Sequence, residues 1–115
     1  MKNKKLIESI EEIKKGNYLV LVEGKKDRKA LQSFGIRRII ELKNRPLFQV
    51  VEAINEKEII ILTDLDSEGR KLFGKLRYFM QRKGIKINNK MRNEIFRTKL
   101  RNIEGLDSYL KLYCC

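Results

Sequence analysis

The chain has no histidine and no tryptophan, one proline, and two cysteines that stand side by side as Cys114 and Cys115. Without histidine it holds no His general base, no His-bound zinc and no His-containing triad. Two adjacent thiols make neither a disulfide framework nor a four-ligand zinc site, so the pair reads as an incidental tail. No apolar run approaches the ~20 residues that cross a bilayer. The basic start, Met1 to Lys5, leads into a charged amphipathic segment and does not resemble a signal peptide. The expectation is a cytoplasmic protein with no membrane partner. Acids are also scarce: 15 Asp+Glu stand against 27 Lys+Arg, a net charge of +12. Such an excess points to a polyanionic partner, nucleic acid before membrane, although it also serves solubility and suits a thermophile.

At 115 residues and 42% hydrophobic, the chain suits one compact domain that needs no staples. Its most informative stretch runs from Ile59 to Arg70. Ile59, Ile60, Ile61 and Leu62 form a continuous apolar run, which reads as a strand buried on both faces. Three acids follow at alternate positions, Asp64, Asp66 and Glu68, and the spacing turns helical from Ser67. Like charges about 4 Å apart repel by roughly 4 kcal/mol at an effective dielectric near 20. A hard divalent cation relieves that, since Mg²⁺ takes one or two carboxylates and keeps waters for substrate phosphate. Ser67 and Glu68 could equally start the helix, as capping residue and first-turn acid. That reading explains the pair Asp64 and Asp66 less well.

Strand and helix alternate along the rest of the chain. Leu6, Ile10 and Ile13 predict a helix over 2–15, stopped by Gly16. Tyr18 to Val22 reads as a second buried strand, running into Glu23 and Gly24, where the glycine would allow a sharp turn or a close ligand approach. Asp27 is expected to cap a helix from Arg28 to Phe34. A weaker strand spans Ile36 to Leu42, and the basic turn Lys43-Asn44-Arg45 leads to Pro46 and a helix from Leu47 to about Asn55. A long helix should run from Ser67 to Lys83, then a short strand Ile85 to Ile87, a turn at Asn88 and Asn89, a helix around Met91, Ile95 and Phe96 to about Leu100, and a final short helix or turn that buries Leu106, Leu110 and Leu112.

Such alternation implies a three-layer α/β/α sandwich, Rossmann-like, around a mainly parallel sheet of about four strands. Right-handed crossovers place every strand's carboxyl end along one edge. Glu23, the Lys43–Arg45 turn, Asp64 with Asp66, and Asn88 with Asn89 should therefore gather there. A basic flank borders them: Arg70 to Arg101 is rich in lysine and arginine, with Glu94 the only acid between them. Within it Lys71, Lys75 and Arg77, together with Lys43 and Arg45, are candidate nucleic-acid contacts. No aromatic residue falls in the expected site loops, so base stacking finds no support.

Two motifs together resemble the Toprim domain. They are the strand Leu19-Val20-Leu21-Val22 ending in Glu23-Gly24-Lys25-Lys26-Asp27, and the strand ending in Asp64-Leu65-Asp66-Ser67-Glu68-Gly69-Arg70. That domain is shared by type IA topoisomerases, bacterial primases, OLD-type nucleases, recombination-repair proteins and 5S ribosomal RNA maturation nucleases. The resemblance covers a core at about 17–87, and size and the Ile103-Glu104-Gly105-Leu106 segment make the whole similar to small stand-alone primase-like Toprim proteins. It divides one domain, 1–115, into that core, the N-terminal helix at 2–15 and a C-terminal helical extension at 88–113. It implies Glu23 as acid/base or ligand, Asp64 and Asp66 as Mg²⁺ ligands (Mn²⁺ a possible substitute), and Glu68 as a further ligand. Lys25 and Arg70 match basic positions near the phosphate, and Asp27 matches as a residue that orients Lys25 or caps its helix. The expected activity is Mg²⁺-dependent phosphodiester chemistry on RNA or DNA, most simply a nuclease or processing enzyme. The alternative is a non-catalytic nucleic-acid-binding module, working with a protein partner in a processing, repair or replication complex. No separate domain with a nucleophilic tyrosine and no zinc module is present, so a complete topoisomerase or primase is not expected.

Overall fold

The computed structural model describes residues 3–113; the expected helix start at Lys2 and the pair Cys114 and Cys115 lie outside them. The elements in chain order are α1 (Lys4–Gly16), β1 (Val20–Val22), α2 (Lys25–Gln32), β2 (Ile39–Glu41), α3 (Leu47–Ala53), β3 (Glu58–Leu62), α4 (Ser67–Lys83), β4 (Lys86–Ile87), α5 (Lys90–Phe96) and α6 (Leu106–Tyr113). The four strands pair in the order β2-β1-β3-β4, and every pairing is parallel. Among the described residues no helix is long and apolar enough to cross a membrane.

Side chains of a strand alternate between faces, and the two faces of this sheet build two cores. Val20, Val22, Ile39, Ile60 and Leu62 point to one face, against Leu6, Ile10 and Ile13 of α1, Leu31 of α2, Met91 and Ile95 of α5, and Leu106 and Leu110 of α6. Leu21, Ile59 and Ile61 point to the other, against Val50 and Val51 of α3 and Leu76 and Met80 of α4. The result is the expected three-layer α/β/α arrangement. Both faces of β1 and β3 are covered, which is why both strands read as unbroken apolar runs.

Sheet order puts β1 at the turning point. The chain leaves β1 for β2 on one side, and crosses back through α3 to β3 on the other. In open parallel sheets a crevice forms where neighbouring strands send their connections in opposite directions. Here that crevice lies between the carboxyl ends of β1 and β3.

Several boundaries differ from the sequence reading. Helix α2 starts at Lys25 rather than Arg28. Asp27 serves it from inside the first turn, with Oδ2 accepting the Gly24 N–H at 3.0 Å. Strand β2 is three residues long; Ile36 is buried outside it, and Leu42 is buried just past its end, its N–H still donating to the Val22 carbonyl at 2.8 Å. Helix α5 stops at Phe96 rather than near Leu100, where the Thr98 hydroxyl turns back and accepts the Leu100 N–H at 3.1 Å. The shortness of β4 matters most. Ile87 pairs with Ile59, three residues before Leu62. Strand β4 thus ends about 10 Å short of the β3 terminus, and Asn88 and Asn89 do not line the cavity at the site edge.

Candidate active site

Glu23 follows β1 directly, and Asp64 follows β3 after one buried threonine. Because β1 and β3 are neighbours, the two acids meet at the crevice. Glu23 Oε2 accepts the Asp64 backbone N–H at 2.6 Å. Asp64 Oδ1 accepts the N–H of Ile103 at 2.9 Å. Asp66 is the N-cap of α4, its Oδ1 accepting the Gly69 N–H at 2.7 Å. Each carboxylate is thus oriented by one backbone donor through one oxygen, and its second oxygen makes no hydrogen bond among the described residues.

The turn that carries Asp64 is held from below. A Cβ at Gly69 would stand 2.1 Å from the Asp64 carbonyl oxygen, so only glycine lets α4 start this close. The Thr63 hydroxyl donates to the Gly69 carbonyl at 2.9 Å. Arg92 Nη1 donates to the Thr63 carbonyl at 2.6 Å and lies 2.9 Å from the Thr63 hydroxyl oxygen. This arginine is only 7% exposed, and its guanidinium packs 4.3 Å from the Phe73 ring centroid and 5.0 Å from that of Phe96. From the side, the Arg101 carbonyl accepts the Leu65 N–H at 2.8 Å. The segment after α5 therefore straps the acid turn.

A cavity of about 830 Å³ opens at this edge. Its acids are Glu23, Asp27, Glu41, Asp64, Glu68 and Glu104, and its cations are Lys25, Lys26, Lys29, Lys43 and Arg45. Burial raises the Glu23 carboxyl above its ordinary value; the Asp64 N–H opposes the rise, and the charges of Asp64 and Asp66 add to it. Burial likewise raises Asp64, with Asp66 and Glu104 adding and the Ile103 N–H and Arg92 opposing. Burial raises Asp27 too, helped by Asp64 and Glu104. Burial lowers Arg92, while Glu23 and Asp64 pull it back toward its charged form.

The expected site residues divide into two groups. Glu23, Lys25, Glu68, Asp64, Lys43 and Arg45 line the cavity, and Asp66 stands close enough for its charge to act on Glu23 and Asp64. Arg70, Lys71, Lys75 and Arg77 are exposed on α4 and are not among the cavity residues. Gly24 is extended at φ −150° and a Cβ there would meet nothing within 4 Å, so no sharp turn demands this glycine.

Two contributors escaped the sequence reading. Glu104 lies in the Ile103–Leu106 segment that carries part of the resemblance, but was not expected at the site, because only the path of the strap brings it to the cavity. Arg92 left a signal: it shares the buried face of α5 with Met91 and Ile95, where a charged residue is anomalous. The basic flank is also less free than its composition suggests. Lys83 Nζ donates to the carbonyls of Val51, Glu52 and Ile54 and closes the end of α3.

The donor chemistry fits a hard cation: oriented carboxylates with one unspent oxygen each, held near one another despite their repulsion. Among the described residues no three Asp, Glu, His or Cys side chains converge tightly enough to enclose an ion unaided. Mg²⁺ does not require that, since it is usually held by one or two carboxylates, with waters and substrate phosphate completing its shell.

The fold and site define a parallel α/β/α domain with a carboxylate-bearing crevice at its topological turning point. Relatives carry the same chain over nearly its whole length. A UPF0292 protein of Methanocaldococcus jannaschii is 36% identical over 115 residues, covering 92% of this chain and 90% of that one. A UPF0292 protein of Pyrococcus horikoshii is 32% identical over 116 residues, covering 98% and 88%. This chain belongs to the UPF0292 family. No family model matches it. Among solved structures, a protein from Aquifex aeolicus superposes with a TM-score of 0.79 at 32% identity, covering 87% of this chain and 96% of that one. The zinc-binding and RNA polymerase domains of the Aquifex aeolicus primase share the fold at a TM-score of 0.51 and 23% identity, covering 90% of this chain and 26% of that one.

Proposed function

We propose that this protein is a Toprim-type, Mg²⁺-dependent enzyme of phosphodiester chemistry on nucleic acid, acting as a nuclease or processing activity. The observation that carries the reading is the junction of Glu23 with Asp64 at the crevice, beside a wall of five cations in one cavity. Asp64 and Asp66, with Glu68 as a further ligand, would hold Mg²⁺ or Mn²⁺. The bound ion would neutralise charge developing on a phosphoryl oxygen.

The chain's own residues do the rest. Glu23, anchored through Oε2, keeps Oε1 to take or give a proton at the attacking or leaving oxygen. Lys25, in the first turn of α2 and in the cavity wall, attracts the phosphate. Arg70, outside the cavity, adds positive potential and not contact with reacting atoms. The unpaired cations of the wall also favour a second reading, a binding module that docks nucleic acid for a catalytic partner.

One experiment separates the two. Labelled RNA and DNA pools are incubated with Mg²⁺ or Mn²⁺, with wild type and Asp64→Asn side by side. Metal-dependent products that vanish in the variant support the enzyme. Products formed equally by both proteins would sink the assigned site, and binding without products in either would favour the docking module.

A further inference from the structure

We propose that the substrate is a single strand, laid against the wall formed by α2 and the β2–α3 turn, with phosphates on Lys26, Lys29, Lys43 and Arg45 and a base stacked on Phe48. The inference rests on the preceding reading of the acid floor and names the substrate form and its path.

Three observations carry it. First, the wall cations are uncommitted. Lys26, Lys29, Lys43 and Arg45 line the cavity and, among the described residues, make no side-chain hydrogen bond or ion pair, whereas the neighbouring Arg28 is spent. Arg28 holds Glu41 at 3.0 Å, which removes the one acid that β2 brings to this wall. Second, the turn is prearranged and tied to the acid. The Lys43 N–H donates to the Glu23 carbonyl at 2.9 Å, the Arg45 N–H to the Leu42 carbonyl at 3.1 Å, and Asn44 between them is left-handed at φ +64°. The phosphate contacts are thus fixed relative to Glu23 by backbone, which is what holding a strand in register over reacting groups requires.

Third, an aromatic ring stands in water beside the wall. Phe48 is 59% exposed; it is not itself among the cavity residues, but it directly follows Leu47, which is, and stands three residues past Arg45. No loop aromatic was expected at the site; this one lies on the first turn of α3. An exposed ring next to a cationic track is the arrangement that binds unstacked bases without reading sequence. A duplex keeps its bases stacked and has no use for the ring. The cavity, about 830 Å³, falls in the size range of small-molecule sites, roughly 300–1,000 Å³, a scale that suits a short stretch of one strand.

The test is fluorescence anisotropy with labelled oligo-dT, oligo-rU and a blunt duplex of equal length, in EDTA so that turnover plays no part. The wall variant Lys26→Glu/Lys29→Glu/Lys43→Glu should lose at least about tenfold in single-strand affinity, and its salt slope should fall by about 2. Reversing Lys71, Lys75 and Arg77 on α4 should cost less. Reversing Arg37, Lys57 and Lys86, at the opposite edge of the sheet, should leave affinity within about twofold. Phe48→Ala should weaken single-strand binding by about tenfold and duplex binding hardly at all. A wall variant that binds like wild type, a larger loss from α4, tighter duplex binding, or equal displacement by polyglutamate would each overturn the proposal. If the wall result fails while Asp64-dependent turnover persists, only this inference falls. If turnover ignores Asp64 while the wall still binds, the catalytic reading falls instead.

Discussion

The two strand–helix junctions of this site look alike in sequence and are built in opposite ways. Each follows a buried apolar strand with acids and a glycine near the helix start. At the β3–α4 junction the glycine is jammed: a Cβ on Gly69 would sit 2.1 Å from the Asp64 carbonyl. Thr63, Arg92, Leu65 and Ile103 all make fixed bonds around it. At the β1–α2 junction a Cβ on Gly24 would meet nothing, and Asp27 makes the one side-chain bond to it. The difference teaches a division of labour. The rigid junction fixes carboxylates to the tolerance that chemistry needs, and the open one leaves room for a ligand among its lysines.

The comparison can be broken at several points. The largest effect should come from Asp64→Asn. Its Oδ1 can still accept the Ile103 N–H, so the fold should persist while metal-dependent turnover falls by about 10³-fold, roughly 4 kcal/mol in the barrier. A circular-dichroism spectrum run beside the assay would expose any loss of fold. Next come the two glycines. Gly69→Ala should cost about 3 kcal/mol in urea unfolding, because backbone must move. Gly24→Ala should stay within about 1 kcal/mol. Similar costs for the two would erase the distinction between a jammed and an open junction.

Arg92→Met probes the support under the rigid junction. It leaves the Thr63 carbonyl without its buried donor, a loss of about 1–3 kcal/mol. Arg82→Met, which removes an exposed bond to the Tyr78 hydroxyl and an exposed contact with its ring, should change stability by less than about 0.5 kcal/mol. An equal loss in both would mean that Arg92 is no strut.

The smallest effect is on pH dependence. Glu23, Asp27 and Asp64 are all raised, chiefly by burial. A raised carboxyl means that the folded state binds its proton more tightly than the unfolded chain does. Its contribution is complete below the ordinary carboxylate range and is lost as pH climbs through the raised values. Without metal, unfolding free energy should therefore decline across that window, and added Mg²⁺ should flatten the decline. Denaturant melts that instead show stability rising through the same pH range would contradict these environments.

Much of this protein was legible in its chain. Helix α4 falls at Ser67–Lys83, as its apolar spacing and the closing Gly84 require. The alternation of strand and helix sufficed to bring Glu23 and Asp64 to one edge, because parallel crossovers leave no other place for strand ends. Those are local periodicities and a chirality rule, and both are written in sequence. The tertiary structure alone decided the rest. It placed β4 too low for Asn88 and Asn89 to reach the edge, and turned Lys71, Lys75 and Arg77 away from the cavity. It buried Arg92 under the acid turn. It also laid residues 101–106 across Asp64, bringing in Glu104. That segment has neither helical nor strand periodicity; its position follows from Ile103 and Leu106 entering the core and from backbone bonds to Asp64 and Leu65, long-range contacts that no local pattern encodes.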